Sequence, residues 1–310
     1  MEKNKRILYD AISLWWLRPE NGLALASYCI NGVDIKPLKN KKYADFACGD
    51  GVNSFFKSGG RFDFKFDIFA NAVSKEHKNN NDQFDYYNPS YQPLIKVKPK
   101  HIYAYGTDHK ILLLKKASKL NFYKELLLSD LSKNKKIKNE EIDFLYCNSL
   151  YWVKNVDKVF SELLKKVKPG GGLVLDVMTV NRIDLRFKNR FQEMPKYWQQ
   201  ILDRGRDMNN PGILSERGWE NLFKKNNTFI IEKRDIFPVG LAEIWNIGLR
   251  PIFPILNSLI KEVKKEKTLI IKKDWVETFT NILYPILNNP ELIKKSKKKI
   301  RIQYFIKKKS

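Results

Sequence analysis

The chain predicts an α/β fold, with a mostly parallel sheet covered by helices on both faces. Three observations predict it. Apolar strand-like runs alternate with amphipathic stretches, a glycine turn links the first run to a helix, and a Pro-Gly-Gly-Gly break launches the fifth. The runs are Tyr43–Cys48, His101–Thr107, Glu125–Leu128, Ile142–Asn148 and Leu173–Met178. Between them, Lys110–Leu120 and Val156–Val167 carry apolar residues at helical spacing. Lys168-Pro-Gly-Gly-Gly172 reads as the stop after Val167. Downstream, Ser215 caps a helix through Phe223, and Thr228–Phe237 and Arg301–Ile306 read as strands. There is no internal repeat and no Gly/Ser linker, so one domain with insertions is expected.

The 310 residues are 43% hydrophobic, enough for a large core. Three well-separated cysteines, Cys29, Cys48 and Cys147, form no metal-ligand pair, so a reduced cytoplasmic protein is expected. No signal core follows the opening residues, and no uninterrupted apolar stretch reads as a membrane span. The net charge of +24 is mostly lysine spread along the chain, with dense runs only at Lys261–Lys273 and Lys294–Lys309. Together with abundant Asn and Ile, this fits genomic bias and solubility. A weak peripheral contact with an anionic membrane is the second expectation, and a dedicated nucleic-acid partner is not expected. Nothing in the sequence indicates an oligomeric state.

Tyr43-Ala-Asp-Phe-Ala-Cys-Gly-Asp-Gly51 places small residues where a strand hands over to a helix. Missing side chains let a ligand approach the backbone, and the helix start offers free N–H groups. The dinucleotide fingerprint G-x-G-x-x-G fails at Ser54. What remains is Asp-x-Ala-Cys-Gly-x-Gly. Ile102-Tyr-Ala-Tyr-Gly-Thr-Asp108 ends on an acid that can accept both ribose hydroxyls. In Glu125-Leu-Leu-Leu-Ser-Asp130 the terminal carboxylate can take an adenine amino group. Ile142-Asp-Phe-Leu-Tyr-Cys-Asn-Ser149 and Leu163–Leu175 follow.

These five segments, in this order, resemble the motif series of the class I S-adenosylmethionine-dependent methyltransferases over Tyr43 to Thr179. The resemblance implies a Rossmann-like, doubly wound, seven-stranded sheet, mostly parallel with an antiparallel last strand, plus a helical cap insertion. It implies S-adenosylmethionine as cofactor. By position, Ala47, Cys48, Gly49 and Gly51 would line its methionine part and Asp45 would fix the loop. Asp108 would hold the ribose, His109 would pack on the cofactor, Asp130 would take the adenine amino group and Asn148 would border the sulfonium. Each carboxylate has a plain alternative as a turn or cap residue.

Two departures stand out. Asp45 and Asp108 lie 63 positions apart, against roughly 20 between the glycine turn and the ribose acid in such folds. An insertion of about forty residues therefore sits near Ser58–Lys100. Its aromatic opening, Gly59–Phe69, could fold across the pocket or pack as a peripheral hairpin. The second departure is Ala47 in place of the more usual glycine, which should only narrow the turn. Asn88-Pro-Ser-Tyr91 looks like the Asn-Pro-Pro-Tyr motif of adenine and amide N-methyltransferases, but it precedes the second strand and reads as coincidence.

Leu14-Trp-Trp-Leu-Arg-Pro-Glu20 could cover the cofactor, with Arg18 pairing a carboxylate, or dock by its tryptophans. This lead, the insertion's opening, Gly106-Thr-Asp-His109 and Ile247-Gly-Leu-Arg-Pro251 look like a subgroup found among bacterial cell-surface and glycan biosynthesis proteins. Under the fold, Arg301–Lys308 becomes an antiparallel last strand paired with Thr228–Phe237 at the sheet's end, its lysines solvated on an edge. The expected parts are a helical lead (1–42), a core (43–239 and 300–310, with the insertion at about 58–100) and a helical cap (240–299). Trp245, Arg250, Trp275 and Tyr284 fall in the cap.

The expected function is methyl transfer to a small-molecule or glycan/lipid-linked acceptor, at oxygen. Arg18, Tyr151, Trp152 and Trp245 are the substrate-binding candidates. No base is identified; Asp63, Asp67, His77 and Tyr151 are candidates, His109 a weaker one, and no metal site is expected. The alternatives are an RNA methyltransferase, favoured only by charge, and a cofactor-binding scaffold or regulatory protein without catalysis.

Overall fold

Two helices precede the first strand: α1 (Lys3–Leu14) and α2 (Pro19–Asn31). Pro19 starts α2 where its missing N–H needs no partner. The computed structural model describes residues 2–33, 40–69, 86–203, 210–289, 291 and 297–309. Strand β1 (Tyr43–Phe46) leads through the glycine turn into α3 (Val52–Lys57). A short antiparallel hairpin follows, β2 (Arg61–Phe62) with β3 (Ile95–Val97). Then come β4 (Tyr103–Asp108), α4 (Ile111–Ser118), β5 (Tyr123–Leu128), β6 (Ile142–Cys147), α5 (Val156–Lys166) and β7 (Val167–Met178). Helices α6 (Phe187–Arg190), α7 (Lys196–Asp203) and α8 (Glu216–Lys225) lead to β8 (Thr228–Phe237). Finally α9 (Val239–Glu243), α10 (Phe253–Glu262) and α11 (Thr268–Leu287) lie between β8 and β9 (Arg301–Lys308).

The seven-stranded sheet runs β5-β4-β1-β6-β7-β9-β8. Its strands are parallel except β9, which runs antiparallel to both neighbours. This is the Rossmann-like, seven-stranded, mostly parallel sheet that the resemblance implied. One expectation is corrected: β9 is not an edge strand. It lies between β7 and β8, and Ile302, Tyr304 and Ile306 are fully buried, so the edge is β8. Lys308 is accordingly tied down, donating to Val167 O at 2.8 Å and Glu140 at 3.3 Å.

Alternation along the central strands separates the two faces. Leu145 and Cys147 of β6, Leu173, Leu175 and Val177 of β7, and Ile302, Tyr304 and Ile306 of β9 share one apolar cluster with α5 and α8. The intervening residues Tyr146, Asp176, Gln303 and Arg301 face the other way. There the lead helices, the insertion and the cap form a second continuous core. The Lys168–Gly172 break also differs from expectation. It is carried inside β7 as an irregularity, with Val167 opposite Ile142 and Gly172 opposite Phe144.

The insertion's described residues pack against the lead and α11. Phe62, Phe66 and Tyr91 join the core of α1 and α11, and the Trp16 indole donates to Asp67 at 3.1 Å. Lys272 of α11 ties the cap to it, donating to the carbonyls of Phe64 and Phe66. Asn88 closes a turn by accepting from Ser90 N. In the cap, Val239–Glu262 is long and apolar enough to cross a membrane by length and composition, which the sequence reading had not picked out.

Candidate functional site

Strand β1 ends in a turn of left-handed residues. Ala47, Gly49 and Gly51 have φ of 57°, 59° and 75°. Cys48 N donates to Thr107 O at 2.9 Å, which pins the turn to the end of β4. Gly49 N donates to Asp108 Oδ2 at 2.9 Å, and Asp108 Oδ1 accepts from Lys110 N at 2.8 Å. The carboxylate is 5% exposed and keeps a lone pair on each oxygen for a further donor. The two glycines do different things. A Cβ on Gly49 would enter open space, whereas one on Gly51 would meet the Tyr123 ring at 2.9 Å. Gly49 therefore leaves room for a ligand, and Gly51 leaves room for Tyr123. Ala47 does more than narrow the turn: it holds a backbone conformation that disfavours a Cβ.

Asp45 lies beneath this turn, 1% exposed, accepting from the Tyr123 hydroxyl at 2.7 Å and from Ser54. Burial pushes its carboxyl up to about 6. Its direct partners are side chains of α3 and β5. Asp130, at the end of β5, is exposed and accepts from Ser132 N at 2.7 Å. The Ser132 hydrogen bonds lower its pKa and keep it an anion. His109 is exposed, with Nδ1 3.6 Å from Asp108. Asn148 follows β6 and accepts from the Ser149 hydroxyl.

Beside the turn a cavity of about 270 Å³ lies over the ends of β6, β7 and β9. Asn53 and Lys57 of α3, together with Asn148, form its wall nearest the glycine turn. Trp15, Leu25, Phe237 and Trp245 supply apolar surface from the lead, β8 and the cap. Behind Tyr146, Asp176 accepts from the Tyr146 hydroxyl at 2.7 Å, from Lys57 Nζ at 3.0 Å and from Gln303 Nε2 at 2.5 Å. Burial alone would raise the Asp176 pKa, but the charges of Lys57 and Arg301 outweigh it and hold the carboxyl below its ordinary value.

Of the substrate-binding candidates, Tyr151 and Trp245 line the cavity. Arg18 does not; it bonds buried Glu20 at 2.9 Å and lies over the Phe253 ring. Trp152 is 47% exposed outside it. Among the base candidates, Asp63 and Asp67 accept backbone N–H groups in insertion turns away from the cavity, and His77 lies outside the described residues. None of the insertion's described residues lines the cavity. Among the described residues no cluster could hold a metal ion.

Sequence reasoning missed Lys57, Tyr146, Asp176, Arg182 and Arg301. A signal existed for Asp176, an acid inside the apolar run Leu173–Met178. A second lay in β9, where Arg301 and Gln303 alternate with buried apolar residues.

No family model matches the chain, and no curated protein matches it. Solved structures with a similar arrangement do exist. An S-adenosylmethionine-dependent methyltransferase from Mesorhizobium loti is 10% identical, covering 88% of this chain and 94% of its own, with a TM-score of 0.44. A SAM-dependent methyltransferase from Thermotoga maritima, described as a possible histamine N-methyltransferase, is 13% identical over 68% of this chain and 73% of its own, with a TM-score of 0.42. The cyclase SpnF is 11% identical over 97% and 85%, with a TM-score of 0.47.

Proposed function

We propose that the chain is an S-adenosylmethionine-dependent methyltransferase that carries a methyl group to an oxygen of a small-molecule or glycan/lipid-linked acceptor. One observation carries the reading: the glycine turn lies where the strand order reverses, and the helix that follows it lends Asn53 and Lys57 to the cavity's wall. From β1, the sheet continues to β4 on one side and β6 on the other. Open α/β sheets bind ligands at that crevice.

The residues present fit the cofactor. Gly49 is open toward solvent-side space, Asp108 has acceptor capacity left for ribose hydroxyls, and Asp130 is an exposed anion at the next strand end. Bound there, the cofactor supplies an electrophilic methyl on sulfur. Asn148 borders the reacting centre and Tyr151 and Trp245 hold the acceptor. Methyl transfer is an in-line displacement, so alignment in a walled cavity supplies most of the acceleration. A hydroxyl acceptor must also lose its proton. Asp176, kept ionised by Lys57 and Arg301, lies behind Tyr146, whose hydroxyl bridges the cavity to it.

The lipid-linked branch of this reading is supported by the cap. Ile255 and Leu259 of α10, one helical turn apart, are 61% and 59% exposed, and exposed lysines 261, 264, 265 and 267 follow them.

Calorimetry with S-adenosylhomocysteine tests the central claim. Wild type should bind, and Asp108→Ala should bind at least about tenfold more weakly. A wild type that does not bind ends the enzyme reading. Equal binding by the variant removes Asp108 from the site.

A further inference from the structure

The cavity holds more positive charge than its own walls neutralise. Its lining includes Lys57, Arg182 and Arg301 and, among the described residues, no carboxylate. Lys57 is accounted for by Asp176 at 3.0 Å. That carboxylate is also occupied by Tyr146 and Gln303. Arg301 is 7% exposed, its Nη1 donates to the Tyr28 hydroxyl at 3.2 Å, and its Nε is buried with no hydrogen-bond acceptor. Its guanidinium also lies over the rings of Tyr28 and Tyr151, 4.5 and 5.4 Å from their centroids. Among the described residues, Arg182 donates only to neutral groups, Met178 Sδ and Asn210 Oδ1.

A buried guanidinium with an unmet donor is costly, and two in one cavity repel each other. Burial, with the Arg301 charge adding to it, pulls the Arg182 pKa below its ordinary value. A lysine at either position would present a point charge, whereas arginine presents a planar fork suited to paired oxygens. Trp15, Leu25, Phe237 and Trp245 add apolar surface to the same cavity. Such a site suits a molecule with an anionic head and an apolar body.

We infer that Arg301 and Arg182 form an oxyanion-recognition subsite, and that the acceptor carries a phosphate or carboxylate group seated between them. The inference deepens the acceptor reading above and fails separately from it.

The test uses the full chain with two probes, methyl phosphate and acetate, titrated calorimetrically at fixed ionic strength. Wild type should bind at least one of them saturably at one site per chain. Arg182→Gln and Arg301→Gln should each weaken that binding about tenfold or more, whereas Lys158→Gln on the exposed face of α5 should leave it unchanged. Preference for methyl phosphate assigns a phosphorylated acceptor, and preference for acetate assigns a carboxylate one. Arg301 is part of the sheet, so thermal unfolding is run alongside. The preferred anion should raise the melting temperature of wild type and leave that of Arg182→Gln unmoved. Unsaturable binding of both probes, or equal binding by wild type and Arg182→Gln, overturns the subsite. S-adenosylhomocysteine titrated separately keeps the two claims apart. Cofactor binding without anion binding ends this inference alone, and anion binding without cofactor binding ends the methyltransferase reading alone.

Discussion

The hydroxyl of Tyr123 donates to Asp45 Oδ2 at 2.7 Å, reaching from the edge strand β5 across β4 to the central strand β1. The ring passes over two glycines to do so. A Cβ at Gly106 or Gly51 would meet it at 2.7 or 2.9 Å. Tyr123→Phe should therefore destabilise the fold by about 1–2 kcal/mol at pH 7.5. The effect should shrink at pH 5. The Asp45 pKa is raised to about 6 when folded, so the carboxyl is largely protonated below that and no longer needs the donor as an anion. Urea unfolding of both proteins at the two pH values checks it. An equal loss at both would mean the hydroxyl does not act through the Asp45 charge.

Ala47→Gly should stabilise the protein by about 0.5–1 kcal/mol, since relief of the left-handed Cβ clash exceeds glycine's extra unfolded-state entropy. The gain should appear as a higher urea midpoint with an unchanged slope. A loss would show that the methyl group packs usefully inside the turn.

Lys272 is 1% exposed, and burial lowers its pKa to about 8. Its ordinary value lies near 10.4. Between those values the unfolded chain holds the proton more tightly, so stability from this group rises with pH and is lowest below 8. Wild type should gain stability relative to Lys272→Met on going from pH 7.5 to 9.5. Parallel stability–pH curves for the two proteins would contradict the assigned burial of its charge. The variant also leaves the Phe64 and Phe66 carbonyls without their donor, so it should be the less stable protein at the upper pH.

Tyr146→Phe removes the hydroxyl between the cavity and Asp176. If a proton leaves the acceptor by that route, turnover should fall by about 10²-fold or more while S-adenosylhomocysteine affinity stays within about twofold. A parallel fall in both would assign Tyr146 to cofactor binding.

Vesicle co-sedimentation tests the cap surface. Wild type should bind phosphatidylglycerol vesicles more than phosphatidylcholine ones, and Ile255→Asp with Leu259→Asp should remove most of that binding. Binding that follows lipid charge and ignores the double substitution would assign it to the scattered lysines alone.

The sheet was legible because each core strand is an apolar run bounded by turn residues, and because Asp45, Gly49 and Asp108 sit at the strand ends. The position of β9 was not. A strand next to β8 satisfies its pattern equally at an edge or in the interior, and only burial of both faces decides. Arg182 was hidden for another reason: it is one of 58 lysines and arginines and carries no local mark. Gly51 misled differently, because its smallness answers a tyrosine more than 70 residues away.

The interior position of β9 also sets an order on synthesis. Arg301 and Gln303 are translated after every helix of the cap. Until they arrive, β7 and β8 each present an open hydrogen-bonding edge, and Asp176 lacks one of its three donors. A nascent chain can therefore form the glycine turn early while the cavity over β6, β7 and β9 stays unfinished. Chains stopped before β9 should lack the cavity's Arg301 wall and be prone to join edge to edge.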